Sequence, residues 1–208
     1  MTLSSESGVP LGGVVLGTGP TGVVLAHEAL GNLCEWMPFA RRLAGTGHTV
    51  LAFDLNGRGS SPPSPGSPAR PRWDLDVAAA AAFLRERGVA SVALVGSNVG
   101  GIASLVAAGQ IEPPVAAVVV LSAQVAMSGL DGRAAAAAVK VPVLYVVSST
   151  DEYLSDIQTL AGATAAPHRV DVVDVIGHGA ELVSDDINPD AADLRDRIAS
   201  FVEHPPSA

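Results

Sequence analysis

Short, continuous apolar runs rich in Val, Leu and Ala recur along this chain, and each is followed by a longer stretch with apolar residues at helical spacing. The runs Gly22 to His27, Thr49 to Leu55, Ser91 to Ser97, Val115 to Ser122, Val141 to Ser149 and Arg169 to Ile176 lack the in-and-out alternation of a half-exposed strand. They predict strands buried on both faces. The segments Glu35 to Ala44, Asp74 to Arg87, Val99 to Ala108, Gly129 to Val139, Leu154 to Ala165 and Pro189 to Val202 predict the intervening helices. Strand and helix in regular alternation predict an α/β protein: a three-layer α/β/α sandwich around a mostly parallel sheet. A single domain over residues 1–208 is expected.

Local punctuation sharpens several of these elements. Asp74 stands where an N-cap is expected and Gly88 where a helix stops, while Asn188 and Pro189 read as N-cap and first helical residue. Leu194, Ile198 and Phe201 then form a core-facing stripe at i, i+4 and i+7. The rhythm breaks only at Ser60 to Arg72, SSPPSPGSPARPR, where five prolines exclude helix and central strand and predict a surface loop within the domain.

Composition narrows the partners. With 12 Lys and Arg against 21 Asp and Glu the net charge is −9, which disfavours nucleic acid and anionic membrane surfaces and leaves a small molecule as the expected partner. The most apolar stretch, Val115 to Met127, is shorter than a membrane span requires. Cys34 is the single cysteine, so neither a disulfide framework nor a cysteine-based metal cluster is available; no metal or other cofactor is expected. Cys34 itself reads as a buried thiol. The first ten residues, MTLSSESGVP, lack the basic and apolar blocks of a signal peptide, so a cytoplasmic protein is expected.

The informative segment is Val95 to Gly101, VGSNVGG, which ends an apolar run and opens a helix rich in small residues. Gly96-Ser97-Asn98-Val99-Gly100 has the spacing of G-x-S-x-G, the sharp strand-to-helix turn that presents a nucleophile, with Asn at its apex. Asn tolerates the positive φ of such an apex better than most residues, but its carboxamide is a poor nucleophile. Further along, Asp151 follows the strand that ends near Ser149, and His178 follows the next strand within Ile176-Gly177-His178-Gly179. Both therefore sit where open α/β sheets place their sites, in the chain order apex, acid, base.

On these residues the chain resembles the α/β-hydrolase superfamily, and is similar to its small, lid-less, dienelactone-hydrolase-like bacterial members. Leu25-Ala26-His27, Trp36 and the turn Phe53 to Ser60 add to the resemblance, which extends from about Gly22 to Val202. It implies an enzyme of ester, lactone or thioester hydrolase lineage, with Asn98, Asp151 and His178 in the catalytic positions and an oxyanion hole formed by the backbone N–H groups of Val99 and Glu28. His27, Trp36, Ser97, Gln124 and Tyr153 are expected around the pocket. Beyond the helix that opens at Val99, the interval from Asn98 to Asp151 holds one strand, one helix and another strand, leaving no room for a helical lid, so an open mouth is expected. His48, His168 and His204 read as surface or helix-end residues.

Asn98 leaves the reaction open. His178 oriented by Asp151 suits a general base in non-hydrolytic chemistry, such as a lyase, isomerase or cyclase reaction. Asn98 equally suits an inactivated variant of a hydrolase, or a ligand-binding pseudoenzyme.

Overall fold

The computed structural model describes residues 1–5, 8–64 and 71–207. Within these, the strands are β1 (Thr2–Ser4), β2 (Pro10–Leu16), β3 (Thr21–Ala26), β4 (His48–Phe53), β5 (Ser91–Ser97), β6 (Ala117–Leu121), β7 (Ala126–Met127), β8 (Leu130–Asp131), β9 (Val143–Ser148) and β10 (His168–Val173). The α-helices are α1 (Met37–Gly45), α2 (Trp73–Glu86), α3 (Val99–Ala108), α4 (Gly132–Ala138), α5 (Leu154–Ala163) and α6 (Ala192–Glu203).

Eight strands form one sheet in the order β1-β2-β4-β3-β5-β6-β9-β10. From β4 to β10 every pairing is parallel, and β1 and β2 add an antiparallel edge. Successive residues of the central strands enter opposite cores: Val92 and Leu94 of β5 pack on one face, Ala93 and Val95 on the other. Ile102 and Leu105 of α3, Val77 and Leu84 of α2, and Ile157 and Leu160 of α5 close the first face. Phe39 and Leu43 of α1, with Leu194, Ile198 and Phe201 of α6, close the second. This is the three-layer sandwich the apolar runs predict, because a strand with apolar residues on both sides is stable only between two helical layers.

The pattern reading misses β1, β2 and the β7–β8 hairpin. β2 carries two glycines at its centre, which interrupt the apolar run, and β7 and β8 are two residues each. Two predicted caps are corrected. α2 begins at Trp73 with Arg72 as its cap residue, and Asp74 lies inside the first turn, where its carboxylate pairs with Arg72 at 2.7 Å. α6 begins at Ala192. Asn188 instead donates from its side chain to the carbonyls of Ile176 and Glu181, while Arg195, 1% exposed, donates to the carbonyls of Asn188 and Pro189. The backbone at 188–189 is held as a turn by those bonds, so the helix starts later. Gly88 does follow α2 with φ 84°. Of the proline-rich loop, residues 65–70 lie outside the described residues. Cys34 is exposed, contrary to expectation, and His48 is buried in β4 rather than at the surface.

Packing of α6 can be tested directly. Ile198→Ala should lower stability by about 2–5 kcal/mol through cavity formation. Asp196→Ala, which breaks only the exposed pair with Arg42, should stay within about 1 kcal/mol. Urea unfolding midpoints measure both.

Candidate active site

Parallel strands share one C-terminal edge, so the segments leaving β3, β5, β9 and β10 converge there. β5 ends in a sharp turn into α3. Asn98 has φ 51° and ψ −118°, and its N–H continues the ladder to the carbonyl of Leu121 at 2.9 Å. The flanking glycines are required by contact: a Cβ on Gly96 would collide with the backbone of Gly100, and one on Gly100 with the carbonyl oxygens of Ala26 and His27. Only without those side chains can α3 start this close to β3.

Asp151 follows β9 in a turn closed by its N–H to the carbonyl of Ser148 at 3.2 Å. One carboxylate oxygen accepts the Tyr153 N–H at 2.9 Å, and the other lies 3.0 Å from His178 Nδ1. The Asp151 side chain is 2% exposed and that of His178 28%. With the proton on Nδ1, donated to Asp151, Nε2 turns its lone pair outward. There it meets Asn98 Nδ2 at 3.5 Å and Glu28 Oε2 at 3.8 Å. The His178 loop is closed on itself by two bonds with Glu181, N–H of His178 to Oε2 at 3.1 Å and N–H of Glu181 to the His178 carbonyl at 3.0 Å. The structure thus brings Asn98, Asp151 and His178 together as the chain order predicts.

A cavity of about 240 Å³ opens onto this group, lined by Glu28, Ala29, Leu30, Asn98, Gln124, Met127, Glu152, Tyr153 and His178. Gln124 and Tyr153 stand at its wall as expected, joined by a 2.5 Å bond from Gln124 Nε2 to the Tyr153 hydroxyl, and the Tyr153 ring packs edge-on against His178 at 5.2 Å. His27, Trp36 and Ser97 do not line it: all three are fully buried. Trp36 packs in the core against Phe39. His27 accepts the Leu55 N–H on Nε2 at 2.9 Å and donates from Nδ1 to the Glu28 carbonyl at 2.7 Å. Burial lowers its pKa, in keeping with a neutral ring that staples the loop after β3 to the loop after β4. Larger clefts, of about 440, 510 and 440 Å³, lie beside α3 and α4, beside β10 and α6, and along the β7–β8 hairpin, and neither His178 nor Asp151 lines any of these.

Sequence reasoning misses Glu35. It reads as an ordinary charge on a helix, yet it sits in a 3-10 turn, Leu33–Trp36, and its Oε1 accepts both the Glu28 N–H at 3.0 Å and the Ser97 hydroxyl at 2.9 Å. The Glu28 N–H expected to face an oxyanion is therefore committed to a carboxylate behind the cavity. The neighbouring Ala29 N–H, among the described residues, makes no hydrogen bond to the protein. Val99 opens α3, so its N–H likewise has no helical partner. Desolvation, reinforced by the Glu28 and Glu181 carboxylates and opposed by the two hydrogen bonds, raises the Glu35 pKa to about 7.

A match to the alpha/beta hydrolase fold family over residues 22–138 covers more than half of the chain, and the fold and turn just described are of that class. The chain belongs to this family. Solved structures with the same fold include an enol-lactonase from Burkholderia xenovorans, 15% identical, covering 98% of this chain and 100% of that one with a TM-score of 0.78. They also include an esterase from Pyrococcus furiosus, 14% identical over 98% and 88% of the two chains with a TM-score of 0.76, and an esterase from Exiguobacterium antarcticum, 13% identical over 98% and 99% with a TM-score of 0.75. Comparison with curated proteins finds no match. Among the described residues no helix is long and apolar enough to cross a membrane.

Because folding raises the Glu35 pKa above its unfolded value, the native state loses stability as pH rises from about 4.5 to about 7. Glu35→Gln keeps an acceptor for both donors without a charge. It should gain on the order of 2 kcal/mol relative to the parent between pH 5 and pH 8, measured as the difference in urea midpoints at the two pH values.

Proposed function

We propose that the protein is a small-molecule enzyme of the ester, lactone or thioester hydrolase lineage in which His178 acts as a general base and Asn98 as a hydrogen-bonding group, without a covalent enzyme intermediate. The observation that carries this reading is the His178–Asp151 pair, held at 3.0 Å on a carboxylate withdrawn from solvent, with Nε2 directed at the cavity. A decayed site has no physical need to keep an imidazole in one tautomer and aimed at an empty volume.

Asn98 is 6% exposed and lines the cavity. Its Nδ2 faces His178, and its Oδ1 has no hydrogen bond within the protein among the described residues. A water placed between Oδ1 and Nε2 is aligned by the first and deprotonated by the second. Its oxygen attacks the carbonyl carbon as Nε2 takes the proton, and the carbonyl π pair moves onto oxygen. Collapse of the tetrahedral adduct expels the alcohol, enol or thiol, which takes the proton back from Nε2. The N–H groups of Val99 and Ala29 serve the oxyanion in this reading, replacing Glu28. The same Nε2 suits removal of an acidic substrate proton in a lyase, isomerase or cyclase reaction. The small, lid-less, dienelactone-hydrolase-like subtype and a single domain belong to this proposal, supported by the connection between β6 and β9, which holds only the β7–β8 hairpin and α4 as regular elements.

A second reading, a ligand-binding pseudoenzyme, is favoured by the Glu28 N–H being turned to Glu35. The two separate on one variant. His178→Ala should reduce turnover of activated esters or lactones by about 10²-fold or more while leaving ligand affinity within a few-fold; unchanged function with intact binding would establish the pseudoenzyme instead. Asn98→Ser should gain a covalent fluorophosphonate adduct, seen by intact-protein mass spectrometry, that the parent lacks. An adduct on the parent at this site would refute the non-covalent reading.

A further inference from the structure

The proposed site carries negative charge that its own chemistry does not consume. Glu28 and Glu152 both line the cavity, and no lysine or arginine is among the lining residues. The Glu28 side chain is 36% exposed and lies 3.8 Å from the His178 ring, which bears no charge while it is competent as a base; behind it stands the Glu35 carboxyl, and among the described residues no lysine or arginine pairs with it. A carboxylate on a concave wall with no fixed cation attracts one from solution, and a cavity focuses that field. The other observations also concern a ligand. Asn98, more than nine-tenths buried, presents an unpartnered carboxamide oxygen at the floor. Tyr153 and Met127 line the same cavity, offering the aromatic and thioether surface that suits alkylated ammonium groups.

We propose that this cavity selects small molecules bearing a positively charged amino or ammonium group, which Glu28 holds by charge and Tyr153 by ring contact, while the reacting carbonyl or acidic proton faces Asn98 and His178. The inference deepens the general-base reading by naming a substrate class for the same site, and makes Glu28 a specificity-determining residue. The acidic balance of the whole chain, −9, acts in the same direction by repelling anionic competitors.

The test compares choline with 3,3-dimethylbutanol, which replaces the ammonium nitrogen by carbon at nearly equal shape, by calorimetric titration of the intact protein at low ionic strength. Choline should bind at least about tenfold more tightly. Glu28→Gln should remove most of that preference while leaving the affinity for 3,3-dimethylbutanol within about twofold, and an unchanged melting temperature shows that the variant is folded. Added salt should weaken choline alone. Equal affinities, binding of neither compound, or a preference that survives Glu28→Gln would overturn the proposal. Neither compound contains a bond that the site breaks, so this outcome is independent of the His178→Ala result: loss of the general-base reading leaves the charge preference standing, and the reverse also holds.

Discussion

The site depends on one backbone turn. A strand buried in the middle of the sheet must end, reverse into a helix and clear its neighbours within a few residues. It does so at Asn98 with a positive φ that few side chains accept. The strain is tolerable because Gly96 and Gly100 let α3 rest against the end of β3, and because both cores, one on each face of β5, hold the strand in place. The apex side chain is lifted to the edge of the sheet, where the loops after β9 and β10 bring Asp151 and His178. The packing of α3 against β3 and the geometry of the candidate site are thus consequences of the same close approach.

Around that turn the polar groups divide the work. Asp54 accepts the Leu33 N–H at 2.8 Å as well as the Ser60 N–H and hydroxyl at 2.8 Å each. His27 joins the same two loops through Leu55 and Glu28, and Glu35 ties the Glu28 amide to Ser97. The loop that forms one wall of the cavity is therefore fastened at three points by side chains that do not line the cavity. Each is a buried or half-buried polar group whose hydrogen bonds offset its desolvation.

Most of the fold and half of the site were legible in the sequence. Val99–Ala108 and β5 match to the residue, and the other central strands are found within two residues at each end, because residues buried on both faces leave an unambiguous apolar run. Asn98, Asp151 and His178 were legible because spacing and chain order fix where strands end. The edge strand β2 was not, since its glycines dilute the pattern. Glu35 was not, because nothing local marks it: its partners, Ser97 and the Glu28 amide, are assigned by tertiary packing alone. Trp36 and His27 were placed one layer too far out for the same reason, as motif position indicates the neighbourhood of a side chain but not the face it presents.

The two halves of the candidate site rest on unlike foundations. Asn98 rises from β5, which has a strand on both sides, whereas His178 follows β10, which pairs only with β9 and leaves its other edge free. Backbone paired on one side opens more readily than backbone paired on both. The cavity is thus expected to be stiffer at its Asn98 floor than at its His178 wall, and the imidazole side is the one that would yield first to a bulkier occupant. The bonds from Asn188 to the Glu181 carbonyl and from Arg195 to the Asn188 carbonyl oppose that displacement.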